Sequence, residues 1–186
     1  MAYYQERMKN DPHARKQYRN AIRELELKHK QYIKTQEAID AFKDANIEEY
    51  NIINNLNFEG KNVDVIVGAN LSRRFGRNGA IGETRPCFIV KDEKVVGFTN
   101  QSDNSISVTL YGDAFLGGTH GLGTIANEFG DVLFSVLRPD YACEQGRKYM
   151  RKEHSYAEDP SANFSYDYEF YICNPEQYKK PNPYEY

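Results

Sequence analysis

The chain has 186 residues and a formal net charge of −3 at pH 7, with hydrophobic residues at 40% and charged residues at 27%. This length and composition are typical of one globular domain with its own core, and they exclude an intrinsically disordered chain. The charge balance leaves no excess of Lys and Arg to neutralise phosphates, so nucleic acid is not an expected partner. The local run of basic residues between Arg15 and Lys34 is interpreted as a solvated helix face.

The three cysteines, Cys87, Cys143 and Cys173, are too few and too scattered for a disulfide framework or a Cys-rich zinc site. At least one thiol is unpaired, which favours a reducing compartment or a secreted chain with at most one bridge. No apolar run approaches the roughly 18 residues of a membrane helix, and the polar residues 1–12 do not resemble a signal peptide. We therefore expect a cytoplasmic protein without membrane contact, or a module delivered or secreted as part of a larger chain.

A helical part is predicted over residues 11–56, after a lead-in over residues 1–10. Asp11 is suited to cap the first free backbone N–H groups, and Pro12 fits the first helical turn. Thr35 is expected to cap a second helix, and a short third helix is expected to follow near residues 47–56. The apolar stripe of the first helix is imperfect because that helix is very rich in charge.

Strand patterns begin after residue 57. The β-branched run at residues 63–67 predicts a buried strand, and a Gly- and Arg-rich loop is expected over residues 68–82. Residues 87–90 and 95–98 flank a polar tetrapeptide, which predicts a β-hairpin. The alternation of apolar and hydroxyl residues at 106–110 predicts a half-exposed strand.

Helical patterns return in the last third of the chain. One helix is predicted over residues 122–136, ended by Arg138-Pro139, with a further helical stretch over 141–150. A last helix is expected to start at Pro160 with Ser161 as its cap. The Pro- and Tyr-rich tail is interpreted either as a surface strap or as an interaction surface.

The order of helices, then strands, then helices indicates an α+β fold with a small, mostly antiparallel sheet. We expect a single domain over residues 1–186. Its parts are the lead-in, the helical part, a region of sheet and helices, and the tail, at residues 1–10, 11–56, 57–173 and 174–186.

The helix at residues 122–136 carries the segment Asn127-Glu128-Phe129-Gly130-Asp131. Residues 127 and 131 are four apart, so both side chains leave the same face of a helix, with Glu128 beside them. Gly130 lies mid-helix, where glycine costs about 1 kcal/mol relative to alanine. A glycine at this position permits close packing or leaves room for a ligand.

This segment resembles the active-site helix of the zincin metallopeptidases, which carries His-Glu-x-x-His. In that family the two histidines bind zinc and the glutamate activates the attacking water. Here Asn127 and Asp131 stand at the histidine positions, and Glu128 stands at the position of the catalytic base. The resemblance is strongest over residues 105–138. It implies that the strand at 106–110 is the edge strand that lines the substrate cleft, and Glu169 is the candidate third ligand.

The replaced histidines change the expected metal chemistry. A set made of Asn127, Asp131 and Glu169 is oxygen-only, which suits calcium, magnesium or manganese better than zinc. His120 is either a displaced ligand on the same helix face or simply a polar residue at the helix start. Without a strong Lewis acid, Glu128 has no metal-bound water of lowered pKa to use. The expected cofactor is therefore none or a divalent metal, which would be zinc if the site is family-like.

Three functions remain open. The first is a zincin-like domain that has lost catalysis and binds a protein or peptide, or acts as an effector module; in overall likeness the chain also resembles terminal modules of bacterial polymorphic toxins. The second is a metal-dependent hydrolase with an atypical oxygen-rich site. The third is an immunity- or adaptor-type protein-binding module unrelated to zincins, in which no cleft lies between Glu169 and the helix at 122–136. The oligomeric state is not indicated.

Overall fold

The computed structural model describes residues 8–9, 11–71, 80–99, 104–112, 115, 121–150 and 160–185. The helices are α1 (Pro12–Ala45), α2 (Ile47–Asn54), α3 (Gly121–Leu137), α4 (Pro139–Met150) and α5 (Pro160–Cys173), with a short 3-10 turn at Pro183–Glu185. The strands are β1 (Asn57–Phe58), β2 (Lys61–Asn62), β3 (Asp64–Asn70), β4 (Gly82–Pro86), β5 (Phe88–Lys91), β6 (Lys94–Phe98) and β7 (Ser105–Tyr111). No helix in these ranges has the length and apolar character needed to span a membrane.

Helix α1 is one continuous helix of 34 residues, where the sequence predicted two. The predicted cap at its start is confirmed: the Asp11 carboxylate accepts hydrogen bonds from the backbone N–H groups of His13 and Ala14 at 2.8 and 3.1 Å. The predicted cap at Thr35 is wrong. The Thr35 hydroxyl is buried within the helix and donates to the Gln31 carbonyl at 2.9 Å, which is the alternative bond that a mid-helix threonine makes.

The predicted α+β class is confirmed, with small and mostly antiparallel sheets. The central sheet has the strand order β3-β7-β4, in which β7 runs parallel to β3 and antiparallel to β4. The strands β5 and β6 form the predicted hairpin, and β1 and β2 form a second short one. No sequence pattern indicates the parallel pair, which joins strands far apart in the chain.

Two strand predictions need correction. The run at 63–67 was predicted to be buried, but β3 is an edge strand whose side chains alternate between exposed and half-buried, and Ile66 is 51% exposed. Strand β4 was not predicted, because Gly82 marked the end of an expected loop. The β-branched residues of β3 thus reflect strand propensity rather than burial on both faces.

The core is built around α3, whose apolar face carries Ile125, Phe129 and Leu133 and packs on α1 and the sheet. The rings of Phe42 and Phe129 meet edge to face with their centroids 5.2 Å apart. The other side of α3 packs along α5 in an antiparallel arrangement. A Cβ atom on Gly130 would lie only 2.8 Å from the Cα atom of Ser165, so this glycine allows the two helices to approach closely.

Candidate functional site

The antiparallel pair of α3 and α5 brings two of the predicted site residues together. The side-chain amide of Asn127 donates to Oε2 of Glu169 with a separation of 3.2 Å between Nδ2 and the oxygen. Glu169 is half-buried, and this burial raises the pKa of its carboxyl group, while the hydrogen bond from Asn127 lowers it. The structure therefore brings Glu169 beside Asn127.

Asp131 leaves the same face of α3 one turn later, but it meets a different partner. The Ser165 hydroxyl of α5 donates to Oδ1 of Asp131, and the Ser135 hydroxyl donates to the Asp131 backbone carbonyl at 2.7 Å. Ser165 and Glu169 lie one helical turn apart on α5, so the two α3 side chains engage successive turns of that helix. Asp131 and Glu169 therefore do not converge on one point.

Within the part of the chain that the structure describes, the members of the predicted oxygen-only set have different contacts: Asn127 binds Glu169, and Asp131 binds Ser165. No group of three or more His, Cys, Asp and Glu side chains is arranged there to hold a metal ion. His120, the candidate displaced ligand, lies outside the described residues.

Glu128 lies between α3 and the edge strand β4, and its side chain is 6% exposed. The hydroxyl oxygen of Thr84 in β4 lies 2.6 Å from Oε2 of Glu128 and 3.0 Å from the Glu128 backbone oxygen. A hydroxyl group has one proton and two acceptor lone pairs. The Thr84 hydroxyl therefore donates to Oε2 of Glu128 or to the Glu128 backbone oxygen, one at a time.

The surroundings of Glu128 favour the protonated form of its carboxyl group. Its pKa is raised to about 8: burial raises it most, the charges of Asp131 and Glu83 also raise it, and the hydrogen bond from Thr84 lowers it. Burial acts in this direction because a buried carboxylate loses the hydration that stabilises its charge. The protonated form is therefore favoured at neutral pH.

Glu128, Asn127 and Glu169 line one side of a cavity of about 270 Å³. The described residues that line it are Ile81, Gly123, Thr124, Asn127, Glu128, Tyr166 and Glu169. The cavity thus lies between α3, α5 and Ile81, which is the residue that precedes β4. Asp131 does not contribute to it. The hypothesis of an immunity- or adaptor-type module unrelated to zincins predicted no cleft between Glu169 and α3, and this cavity differs from that prediction.

Two glycines leave the space that the carboxyl groups of the site occupy. A Cβ atom on Gly82 would lie 2.5 Å from Oε1 of Glu128, and a Cβ atom on Gly123 would lie 2.6 Å from Oε1 of Glu169. Contacts this short do not occur between real atoms, so any larger residue at either position must displace the carboxyl group. The glycines are therefore part of the site although they carry no functional group.

The strand beside this site is not the one that the resemblance implied. Residues 105–111 form β7, which is the central strand of its sheet and therefore cannot be the edge strand of a cleft. β4 occupies the edge and packs more extensively along α3 than β7 does. The strand before the helix, β7, was correctly predicted to belong to the sheet. It is not at the edge, because β4, which was not predicted, pairs with it there.

Thr84, Gly82 and Tyr166 are the site residues that the sequence analysis did not identify. A weak signal for β4 exists, since charged Glu83 and Arg85 alternate with Thr84, and charged residues are common on edge strands. The contact between Thr84 and Glu128 joins residues 44 positions apart, so no local pattern indicates it.

Comparison with protein-family models, with curated proteins and with solved structures finds no match to this chain.

Proposed function

We propose that the chain is a zincin-like domain without catalytic activity that binds a peptide or a segment of a protein along the edge strand β4, beside the cavity between α3 and α5, as a binding or effector module. The observation that carries the proposal is the hydrogen bond between Asn127 and Glu169. It joins the position of the first metal ligand to the position expected for the third. An amide–carboxylate bond thereby links two helices at the place where the family has a metal ion.

The geometry around Glu128 supports the loss of catalysis. Its carboxyl group is buried against Thr84, and its pKa of about 8 favours the protonated form at neutral pH, whereas a general base must be ionised. The Asn127 amide group directs a donor at Glu169, and Asp131 accepts from Ser165.

The position of β4 supports a peptide as the bound partner. Within the described residues, β4 pairs with β7 on one side only and is the edge of its sheet. An extended peptide can add to such an edge through main-chain hydrogen bonds, while its side chains enter adjacent pockets. The cavity beneath Ile81 is such a pocket.

The first experiment measures the metal content of the purified protein by elemental mass spectrometry, together with Asp131→Ala. The proposal expects no stoichiometric metal in either protein. About one zinc or manganese per chain, lost in Asp131→Ala, would contradict the loss of catalysis and would favour the metal-dependent hydrolase.

A second experiment tests the zincin-like arrangement by restoring the histidines. Asn127→His with Asp131→His would recreate a set of two histidines and Glu169, a set that binds catalytic zinc in proteins. We expect about one zinc per chain, and its loss when Glu169→Gln is added. The pair should also be made with Ser165→Gly, since Ser165 now contacts Asp131. Folded variants that bind no zinc in either background would exclude the zincin-like arrangement.

A third experiment tests peptide binding directly. Immobilised protein is used to select from a random displayed peptide library, and the backbone amide signals of residues 82–85 are followed by NMR during titration with a selected peptide. We expect these signals to shift. Selected peptides that leave residues 82–85 unchanged would place the binding surface elsewhere.

A further inference from the structure

The cavity between α3 and α5 has a distinctive chemical lining. Two carboxyl groups, from Glu128 and Glu169, share it with the apolar Ile81 and the aromatic Tyr166, and no Lys or Arg side chain is among the described residues that line it. Tyr166 is 66% exposed and therefore lies at the mouth, whereas Glu128 is 6% exposed and lies deep. A ligand entering this cavity passes an aromatic ring and reaches acidic groups.

In each carboxyl group, one oxygen has a hydrogen-bond partner and the other can still accept a hydrogen bond. Oε2 of Glu128 is held by Thr84, and Oε2 of Glu169 accepts from Asn127. The two Oε1 atoms have no hydrogen-bond donor among the described residues, and they occupy the spaces left by Gly82 and Gly123. Glu128 is 6% exposed, and its Oε1 atom is not among the fully buried atoms that lack a hydrogen-bond partner in the described residues, so this oxygen is accessible to a donor.

We infer that this cavity is the pocket for a basic side chain, lysine or arginine, of the bound peptide. The inference rests on the proposed function, because it names the residue class that the peptide presents. The cationic head group supplies N–H donors to the two Oε1 atoms, as charge-assisted hydrogen bonds. The aliphatic stem packs on Ile81, and the Tyr166 ring at the mouth favours a cation through its face.

The size of the cavity agrees with this ligand. Its volume of about 270 Å³ corresponds to roughly nine water molecules at about 30 Å³ each, which accommodates a side chain of the length of lysine or arginine. A norleucine side chain would fill similar space but would leave both Oε1 atoms without donors. A glutamate side chain would bring a third acidic group beside Glu128 and Glu169. Discrimination against both should therefore be strong.

The experiment starts from the peptides selected on the wild-type protein. We expect lysine or arginine to be enriched at one position of these peptides. Fluorescence polarisation then measures the affinity of the strongest peptide and of its norleucine and glutamate analogues. Both replacements should weaken binding at least tenfold. Glu169→Gln should weaken binding of the basic peptide at least tenfold and should reduce its preference over the norleucine analogue. The exposed Glu176→Gln is the matched control and should change neither quantity, and circular dichroism verifies that both variants are folded.

The outcomes separate this inference from the proposed function. Selected peptides that bind along β4 without a basic residue, or whose affinity is unaffected by Glu169→Gln, would overturn the basic-side-chain pocket and leave peptide binding in place. If no peptide is selected, the proposed function fails, and the pocket is decided by titrating N-acetyl-lysine methylamide against the amide signals of Gly123 and Thr124. Shifts with this probe, absent with the norleucine derivative, would support the pocket, and no shift would overturn it.

Discussion

Glu128 combines burial with a single side-chain hydrogen-bond partner, Thr84, and this combination controls its protonation. The pKa of the carboxyl group is raised from its ordinary value of 4.5 to about 8, mainly by burial. Between these two pH values the folded chain holds a proton that the unfolded chain has released. The free energy of unfolding therefore falls as the pH rises through this window.

Glu128→Gln should remove this pH dependence. The glutamine side-chain carbonyl can accept from the Thr84 hydroxyl as the carboxyl group does, and the amide has no charge to lose. Since one pKa unit corresponds to about 1.4 kcal/mol, we expect the variant to match the wild type near pH 4.5 and to exceed it by about 3 to 5 kcal/mol above pH 8. Urea unfolding at pH 5, 6, 7 and 8 measures this difference.

The control is Glu26→Gln on the exposed face of α1, which should leave the slope of stability against pH unchanged. A Glu128→Gln variant whose stability follows the same pH slope as the wild type would show that Glu128 is ionised in the folded protein at neutral pH.

Gly82 and Gly68 offer a matched comparison on two edge strands of one sheet. A Cβ atom on Gly82 would lie 2.5 Å from Oε1 of Glu128, whereas a Cβ atom on Gly68 would meet nothing within 4 Å. Gly82→Ala should therefore destabilise the protein by about 1 to 3 kcal/mol through overpacking. Gly68→Ala should be neutral or stabilising by up to about 1 kcal/mol, because alanine loses less conformational entropy. Chemical denaturation of both variants tests the pair, and equal effects would contradict the contact between Gly82 and Glu128.

At the scale of elements, the site depends on how closely α3 approaches α5. Gly130 faces the backbone of Ser165, so there is no flexible side-chain atom that can move aside. The contacts of Asn127 with Glu169 and of Asp131 with Ser165 lie on either side of this point. The side chains in these two contacts are short, so the contacts require the two helices to remain close.

Gly130→Ala should destabilise the protein although alanine is the better helix former. The added Cβ atom would lie 2.8 Å from the Cα atom of Ser165, and we expect a net loss of about 1 to 3 kcal/mol. Gly146→Ala in α4 is the control, since a Cβ atom there meets nothing within 4 Å. That change should stabilise by up to about 1 kcal/mol. Thermal unfolding compares the two, and a stabilised Gly130→Ala would mean that the helices are not in close contact.

The elements differ in how well the sequence predicts them. The bounds of α3 agree with the prediction to within a residue at each end, because its apolar face repeats with helical period and Pro139 follows. The hairpin of β5 and β6 is also predicted, from two apolar runs around a polar turn. Strand β4 is missed because it begins with a glycine and ends with a proline, and α1 is divided wrongly because a threonine can serve both as a cap and as a mid-helix residue.

The same distinction holds for the candidate site. Helical periodicity places Asn127 and Asp131 on one face, and the resemblance to zincins points to Glu169 as their neighbour. The partners Thr84 and Ser165 are not predictable, since they depend on the packing of β4 and α5 against α3. The separation of Asp131 from Glu169 is likewise a tertiary effect, because it follows from the close approach at Gly130.

At the scale of the whole molecule, the segment after α5 closes over the core. The hydroxyl groups of Tyr168 and Tyr184 lie 2.9 Å apart, and Tyr168 is completely buried. Their rings meet edge to face with centroids 6.0 Å apart. The tail, predicted to be a strap or an interaction surface, thus packs its described part on α5.

Tyr184→Phe should destabilise the protein by about 1 to 2 kcal/mol, because it leaves the buried Tyr168 hydroxyl without this partner. Tyr178→Phe is the comparison, since the Tyr178 hydroxyl donates to the Pro181 carbonyl at an exposed position. It should change stability by less than about 0.5 kcal/mol. Urea unfolding distinguishes them, and a neutral Tyr184→Phe would show that the hydroxyl contact does not stabilise the fold.

Helix α1 is long for a chain of this size, because its 34 residues span about 51 Å at 1.5 Å per residue. Its buried residues are Gln31, Thr35 and Phe42, so the part from residue 12 to residue 30 has no buried side chain. A body extended along such a helix turns end over end more slowly than it spins about the helix axis, because the viscous drag is greater. The backbone N–H vectors of α1 lie nearly parallel to that axis, so only the slower end-over-end motion reorients them, and their nuclear spins should relax at rates distinct from those of the sheet.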